Sequence, residues 1–96
     1  MTIEKIRKDY ELIDLFCNLA EVPSPSMHEE KVAEWIKNYC DKNEISCKLD
    51  DFGNVVINIP ATDQTKAPMM LSAHMDVIGD DSPVKTYLDE NDNIHA

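Results

Sequence analysis

In Met69-Met70-Leu71-Ser72-Ala73-His74-Met75-Asp76-Val77-Ile78-Gly79, an apolar run of strand length ends in two small residues, and a histidine and a carboxylate follow two positions apart. Strand side chains alternate faces, so an extended backbone through this step projects His74 and Asp76 to the same side. In an open α/β sheet, ligands bind in the crevice beyond the carboxyl ends of the strands, where this pair would lie. A neutral imidazole is a good ligand for zinc and related ions. A neighbouring carboxylate can hold its ring, fix its tautomer and raise its basicity. One such pair supplies half of a first coordination shell at most. No other group in the chain stands at recognisable ligand spacing.

The segments before this run predict helices and a hairpin. Apolar residues recur at helical spacing from Glu4 to about Ala20, at Ile6, Tyr10, Ile13, Phe16 or Cys17, and Ala20, with Leu12, Leu15 and Leu19 widening the stripe. Pro23 and Pro25 end that helix, because each lacks a backbone donor and drives its predecessor out of the α region. Ser26-Met27-His28-Glu29 has the form of a capping box, and predicts a second helix to about Lys42 that buries Val32, Trp35, Ile36, Tyr39 and Cys40. Ile45, Cys47 and Leu49 then alternate with polar residues as in a half-buried strand. Asp51 to Asn54 supplies a turn, and Val55 to Ile59 returns antiparallel.

After the proline-bounded loop Pro60 to Pro68, the apolar run is expected to form a central strand that ends at His74. Val84 to Leu88, a turn at Asp89 to Asn93, and Ile94-His95-Ala96 predict the beginning of another hairpin. The fold class expected is α/β, with two helices, a β-hairpin and a central strand of a mixed sheet.

Length and composition bound the rest. Ninety-six residues, 43% hydrophobic and 29% charged, suit one soluble domain. Nineteen acids against nine bases give a net charge of −10, which argues against nucleic acid or an anionic membrane as partner. Three cysteines without CxxC spacing suggest neither a disulfide framework nor a cysteine zinc site, but free thiols in the cytoplasm. No apolar run approaches membrane-spanning length.

Three stretches in this order resemble the N-terminal part of the M20 metallopeptidases, with their dipeptidase and peptidase T-like tripeptidase branches. They are Val22-Pro23-Ser24-Pro25-Ser26-Met27-His28-Glu29-Glu30, Asp51-Phe52-Gly53-Asn54-Val55, and Leu71-Ser72-Ala73-His74-Met75-Asp76-Val77. The resemblance implies a hydrolase of short peptides that uses two divalent ions, usually zinc, with manganese or cobalt as alternatives. By resemblance His74 is the first metal-ligating histidine, and Asp76 joins the catalytic machinery as the carboxylate that orients it. The remaining ligands and the general base would lie beyond Ala96, so residues 1–96 are expected to be an incomplete N-terminal portion of a catalytic domain, inactive alone.

Other polar residues carry less. Asp80, Asp81, Asp89 and Asp92 sit in turn composition, His28 falls on a helix in phase with Val32, and His95 lies in a terminal strand. Cys47 alternates inward and reads as core rather than nucleophile. An M42-type aminopeptidase is the rival enzyme resemblance. Ile78-Gly79 fits it, but Val77 stands where that group has a glutamate. A non-catalytic acidic α/β module that binds a partner through an unpaired strand edge is the alternative from another class.

Overall fold

The computed structural model describes residues 1–96. Three helices, α1 (Ile3–Asp9), α2 (Glu11–Ala20) and α3 (Glu30–Lys42), precede four short strands, β1 (Ser46–Leu49), β2 (Val55–Asn58), β3 (Tyr87–Leu88) and β4 (Ile94–His95). The α/β class expected from the sequence holds in this sense. The strands make two separate antiparallel pairs, β1 with β2 and β3 with β4, rather than one mixed sheet.

The helix expected over Glu4 to Ala20 is broken at Tyr10, whose φ of −130° and ψ of 103° are extended. The Arg7 side chain gives the physical reason. Its Nε donates to Asp14 at 2.7 Å, Nη1 to Glu21 at 2.6 Å and Nη2 to Asn18 at 2.5 Å. In one straight helix, residues 7 and 21 would stand about 21 Å apart, beyond the reach of any side chain. Folding α1 back lets one guanidinium tie three positions of the α2 segment together. Thr86, just before β3, joins this cluster by donating its hydroxyl to Glu21 at 2.7 Å.

The start of α3 also departs from expectation. The helix begins at Glu30, and Glu29 at its N-cap position makes no side-chain cap bond. Instead Glu29 Oε1 accepts from the Met27 backbone N–H at 3.0 Å, which holds Met27 at a φ of 70°. Ser26 is thereby free to bond elsewhere. At the other end of α3, Ile45 N–H donates to the Cys40 carbonyl at 2.8 Å and carries the chain into β1.

The buried core is small: Cys17 of α2, and Val32, Ala33 and Cys40 of α3, with Ser24 as the buried polar residue. Trp35, Ile36 and Tyr39 are half-buried, and the Trp35 and Tyr39 rings stack with centroids 5.6 Å apart. Leu12, expected to widen the stripe of the first helix, is exposed, and of the alternatives Phe16 and Cys17 it is Cys17 that is buried while Phe16 is exposed.

The hairpin of β1 and β2 forms as expected, with Cys47 opposite Ile57 and Leu49 opposite Val55. Asp50 builds its turn: the carboxylate accepts from the backbone N–H of Phe52 and Asn54, both at 2.9 Å, and from the Asn54 side chain at 2.8 Å. Gly53 takes a φ of 84° within it. The second hairpin repeats this device. Asp89 accepts from the N–H of Asn91 and Asn93 at 2.8 and 2.9 Å and from the Asn93 side chain at 3.1 Å, while Asp92 occupies the left-handed position at a φ of 61°.

The central strand expected to end at His74 does not form. Met69, Met70 and Leu71 are exposed and pair with no other strand. A strand is stable only beside a partner, and neither hairpin flanks this segment. The first backbone pairing after the loop comes at Val77, which bridges Pro25 in parallel and donates its N–H to the Ser24 carbonyl at 2.8 Å.

Candidate functional site around His74 and Asp76

The Ser24–Val77 contact lays the segment after Pro23 alongside the segment that carries His74 and Asp76. Both prolines keep this segment out of helix, and its turn is closed by the His28 N–H donating to the Pro25 carbonyl at 2.9 Å. Residues about fifty positions apart thus meet at one place.

His74 Nδ1 lies 2.9 Å from the Asp76 backbone carbonyl and 3.0 Å from Asp76 Oδ1. Both neighbours are acceptors, so the proton of the neutral ring sits on Nδ1. The Nε2 lone pair then points away from Asp76 on a side chain that is 83% exposed. An imidazole in this state has the orientation and tautomer that a metal ligand requires. The expected pairing of His74 and Asp76 is therefore present, and it arises in an irregular segment rather than at a strand end.

The other Asp76 oxygen, Oδ2, accepts a hydrogen bond from the Ser26 hydroxyl. The bond from Ser26, followed by that from His74, holds the Asp76 carboxyl below its ordinary pKa, against the opposing effect of partial burial. Ser26 is the member of the site that the sequence did not disclose. Its pattern with Glu29 read as a capping box, and no periodicity links positions 26 and 76.

The remaining candidates lie elsewhere. His28 is exposed in the turn before α3. His95 stacks on Tyr87 with ring centroids 4.9 Å apart, and its Nε2 lies 2.8 Å from Asp89 Oδ2, so the nitrogen left open in His74 is the one engaged here. The Asp89 carboxyl is held well below the usual range, first by His95 and then by the Asn93 backbone and side chain. Asp80 accepts from the Ser82 N–H at 2.8 Å. These are turn-forming carboxylates, as their composition suggests. Cys47 is half-buried on β1 beside buried Cys40, and all three cysteines are free thiols.

The donor set fits a metal only in part. No three His, Cys, Asp or Glu side chains converge anywhere in residues 1–96. Zinc sites take three or four protein ligands, and His74 offers one.

The chain is similar to part of a peptidase. It is 34% identical over 86 residues to the cytosol non-specific dipeptidase of Escherichia coli (strain K12), a match that covers 88% of this chain and 16% of the relative. The chain thus spans under a fifth of that relative's length, and the likeness supports a dipeptidase-type relationship. No family profile and no solved structure matches the chain. No helix is long and apolar enough to cross a membrane.

Proposed function

We propose that residues 1–96 are the N-terminal part of an M20-type metallopeptidase that hydrolyses di- or tripeptides in the cytoplasm, and that they are inactive alone. The observation behind this reading is the His74 ring, held at Nδ1 by Asp76 with Nε2 open, in a chain related to a dipeptidase. His74 is one metal ligand, and Asp76 orients it. Two divalent ions, zinc or alternatively manganese or cobalt, would polarise the scissile carbonyl and activate a water. Their other ligands and the general base come from sequence outside these residues. Small peptides are the substrates, and neither nucleic acid nor an anionic membrane is a partner at a net charge of −10.

The surface supports an incomplete unit. A compact protein of 10.9 kDa exposes about 5,600 Å², whereas this chain exposes 8210 Å². The surplus of about 2,600 Å² matches the upper part of what one partner contributes to an obligate interface, about 1,000–2,500 Å².

The test begins with the encoding DNA past codon 96 in the native locus. If the frame continues, the longer protein should cleave dipeptides, lose activity to a chelator and lose it again on His74→Ala. A longer protein whose peptidase activity survives both treatments would reject this reading. The exposed, unpaired segment at Met69 to Leu71 favours a second reading, an acidic module that binds a partner by strand addition. Under that reading, partner binding is indifferent to His74→Ala and lost on Leu71→Lys.

A further inference from the structure

We propose that Ser26 is a positioning residue for His74. Its hydroxyl fixes the Asp76 carboxylate, and that carboxylate in turn holds the imidazole in the Nδ1–H tautomer with Nε2 free. This role rests on the reading of His74 as a ligand and extends it to a residue about fifty positions away.

Three features of the geometry give Ser26 this role. First, the His74 side chain is 83% exposed, so little packing restrains the ring and its orientation follows from its polar contacts with Asp76. Second, rotation of a carboxylate about its last bond is soft, so a single contact from the histidine would leave it loosely set. Asp76 has one oxygen on His74 and the other on Ser26, and the two contacts together define its plane. Third, Ser26 is itself placed by the fold. Ser24 is buried and accepts from Val77, Pro25 bridges Val77, and Glu29 holds the Met27 N–H beyond it.

The second histidine–aspartate pair shows the alternative. Asp89 is oriented by backbone N–H groups of its own turn, at Asn91 and Asn93, and engages His95 through Nε2. At the first pair, a side chain brought from another segment orients the carboxylate. The Asp76 backbone carbonyl also favours Nδ1–H, so docking of the Ser24–Glu29 segment governs the carboxylate's share in setting the tautomer, and through it the availability of Nε2.

The test is the pair of imidazole ¹⁵N chemical shifts of His74, read by long-range ¹H–¹⁵N correlation on the neutral ring in the metal-free 96-residue chain. Amide exchange at Val77 is followed in the same samples. The wild type should show one pyrrole-like Nδ1 and one well-separated pyridine-like Nε2. In Ser26→Ala the two shifts should move toward each other as the tautomers mix, and Ser26→Thr, which keeps the hydroxyl, should restore the separation. The proposal is overturned if the alanine variant keeps the wild-type shifts, or if the threonine variant follows alanine while its Val77 amide stays protected. Should alanine also undock the segment, the threonine comparison at a protected Val77 decides between the two outcomes. No metal or activity enters these measurements. Failure here would leave His74 ligation to stand or fall by the chelator and His74→Ala assays.

Discussion

Leu71→Ala distinguishes a folding unit that is complete in 96 residues from one that is covered by further protein. Fully burying a leucine side chain is worth about 1.5–3 kcal/mol, and truncating one in a packed core costs roughly 2–5 kcal/mol. Leu71 is 87% exposed here, so only a small fraction of that burial exists to be lost. In the 96-residue chain the substitution should cost below about 0.5 kcal/mol. Urea unfolding followed by the fluorescence of Trp35, the single tryptophan, on the half-buried face of α3, measures it. In a longer protein in which the segment becomes an interior strand, the same substitution should cost the full roughly 2–5 kcal/mol. A loss of about 2 kcal/mol or more in the 96-residue chain would contradict this account, because Leu71 would then be buried in solution by contacts this structure lacks. The radius of gyration gives an independent check: 15.7 Å over Cα atoms, against about 12.5 Å for a compact chain of this length. A dilute monomer scattering at the compact value would count equally against an open Met69–Leu71 segment.

Three further outcomes follow from the side-chain chemistry. Arg7→Lys should destabilise the chain by about 1 kcal/mol in urea unfolding, since one ammonium cannot span Asp14, Asn18 and Glu21, and the partial exposure of both carboxylates screens the ion pairs. Asp50 and Asp89 both have folded pKa values below their ordinary ones, the first mainly through the Asn54 side chain and the second through His95. The two turns should therefore hold at neutral pH, where their contribution is fully present, and weaken as pH falls below about 4 toward the folded values. Amide protection at Asn54 and Asn93, taken relative to the intrinsic exchange rate at each pH, reads this, and protection that does not fall in acid would count against it. Cys47, half-exposed, should be alkylated first. Cys17 is fully buried, and the Cys40 thiol is pushed up by burial and then by Cys47, so both should lag in a mass-spectrometric time course.

Local chemistry was legible in the sequence wherever a few neighbouring residues decide the outcome. The prolines at 23 and 25 stop a helix by removing donors, the alternation at Ile45, Cys47 and Leu49 sets a strand, and Asp50 with Asn54 closes its turn. The pairing of His74 with Asp76 belongs to the same class, because two positions of separation suffice to bring ring and carboxylate together. What failed depended on distant partners. The periodicity of residues 4–20 is helical throughout, yet the arginine at position 7 engages Glu21 and the helix breaks at Tyr10. The run at Met69 to Leu71 has strand composition, but composition supplies no neighbouring strand.

Ser26 unites both cases. Locally, a serine three residues before a glutamate is a capping box, and each group could satisfy the other's backbone donor. In the structure the helix begins at Glu30 with Glu29 in the N-cap position, so Ser26 stands outside the cap, and its hydroxyl donates to the charged Asp76 carboxylate, a stronger bond than one to a neutral acceptor. Glu29 then turns to the Met27 N–H, and α3 starts without a side-chain cap. An omitted cap costs a helix about 1 kcal/mol. That cost falls at the point where the Ser24–Glu29 segment meets the His74 pair, as expected where local preference yields to a site. Glu29→Ser sets the two demands against each other, because it places an N-cap hydroxyl directly before Glu30 and removes the carboxylate that holds the Met27 N–H. It should raise the protection of the first turn of α3 and bring the two His74 nitrogen shifts closer together.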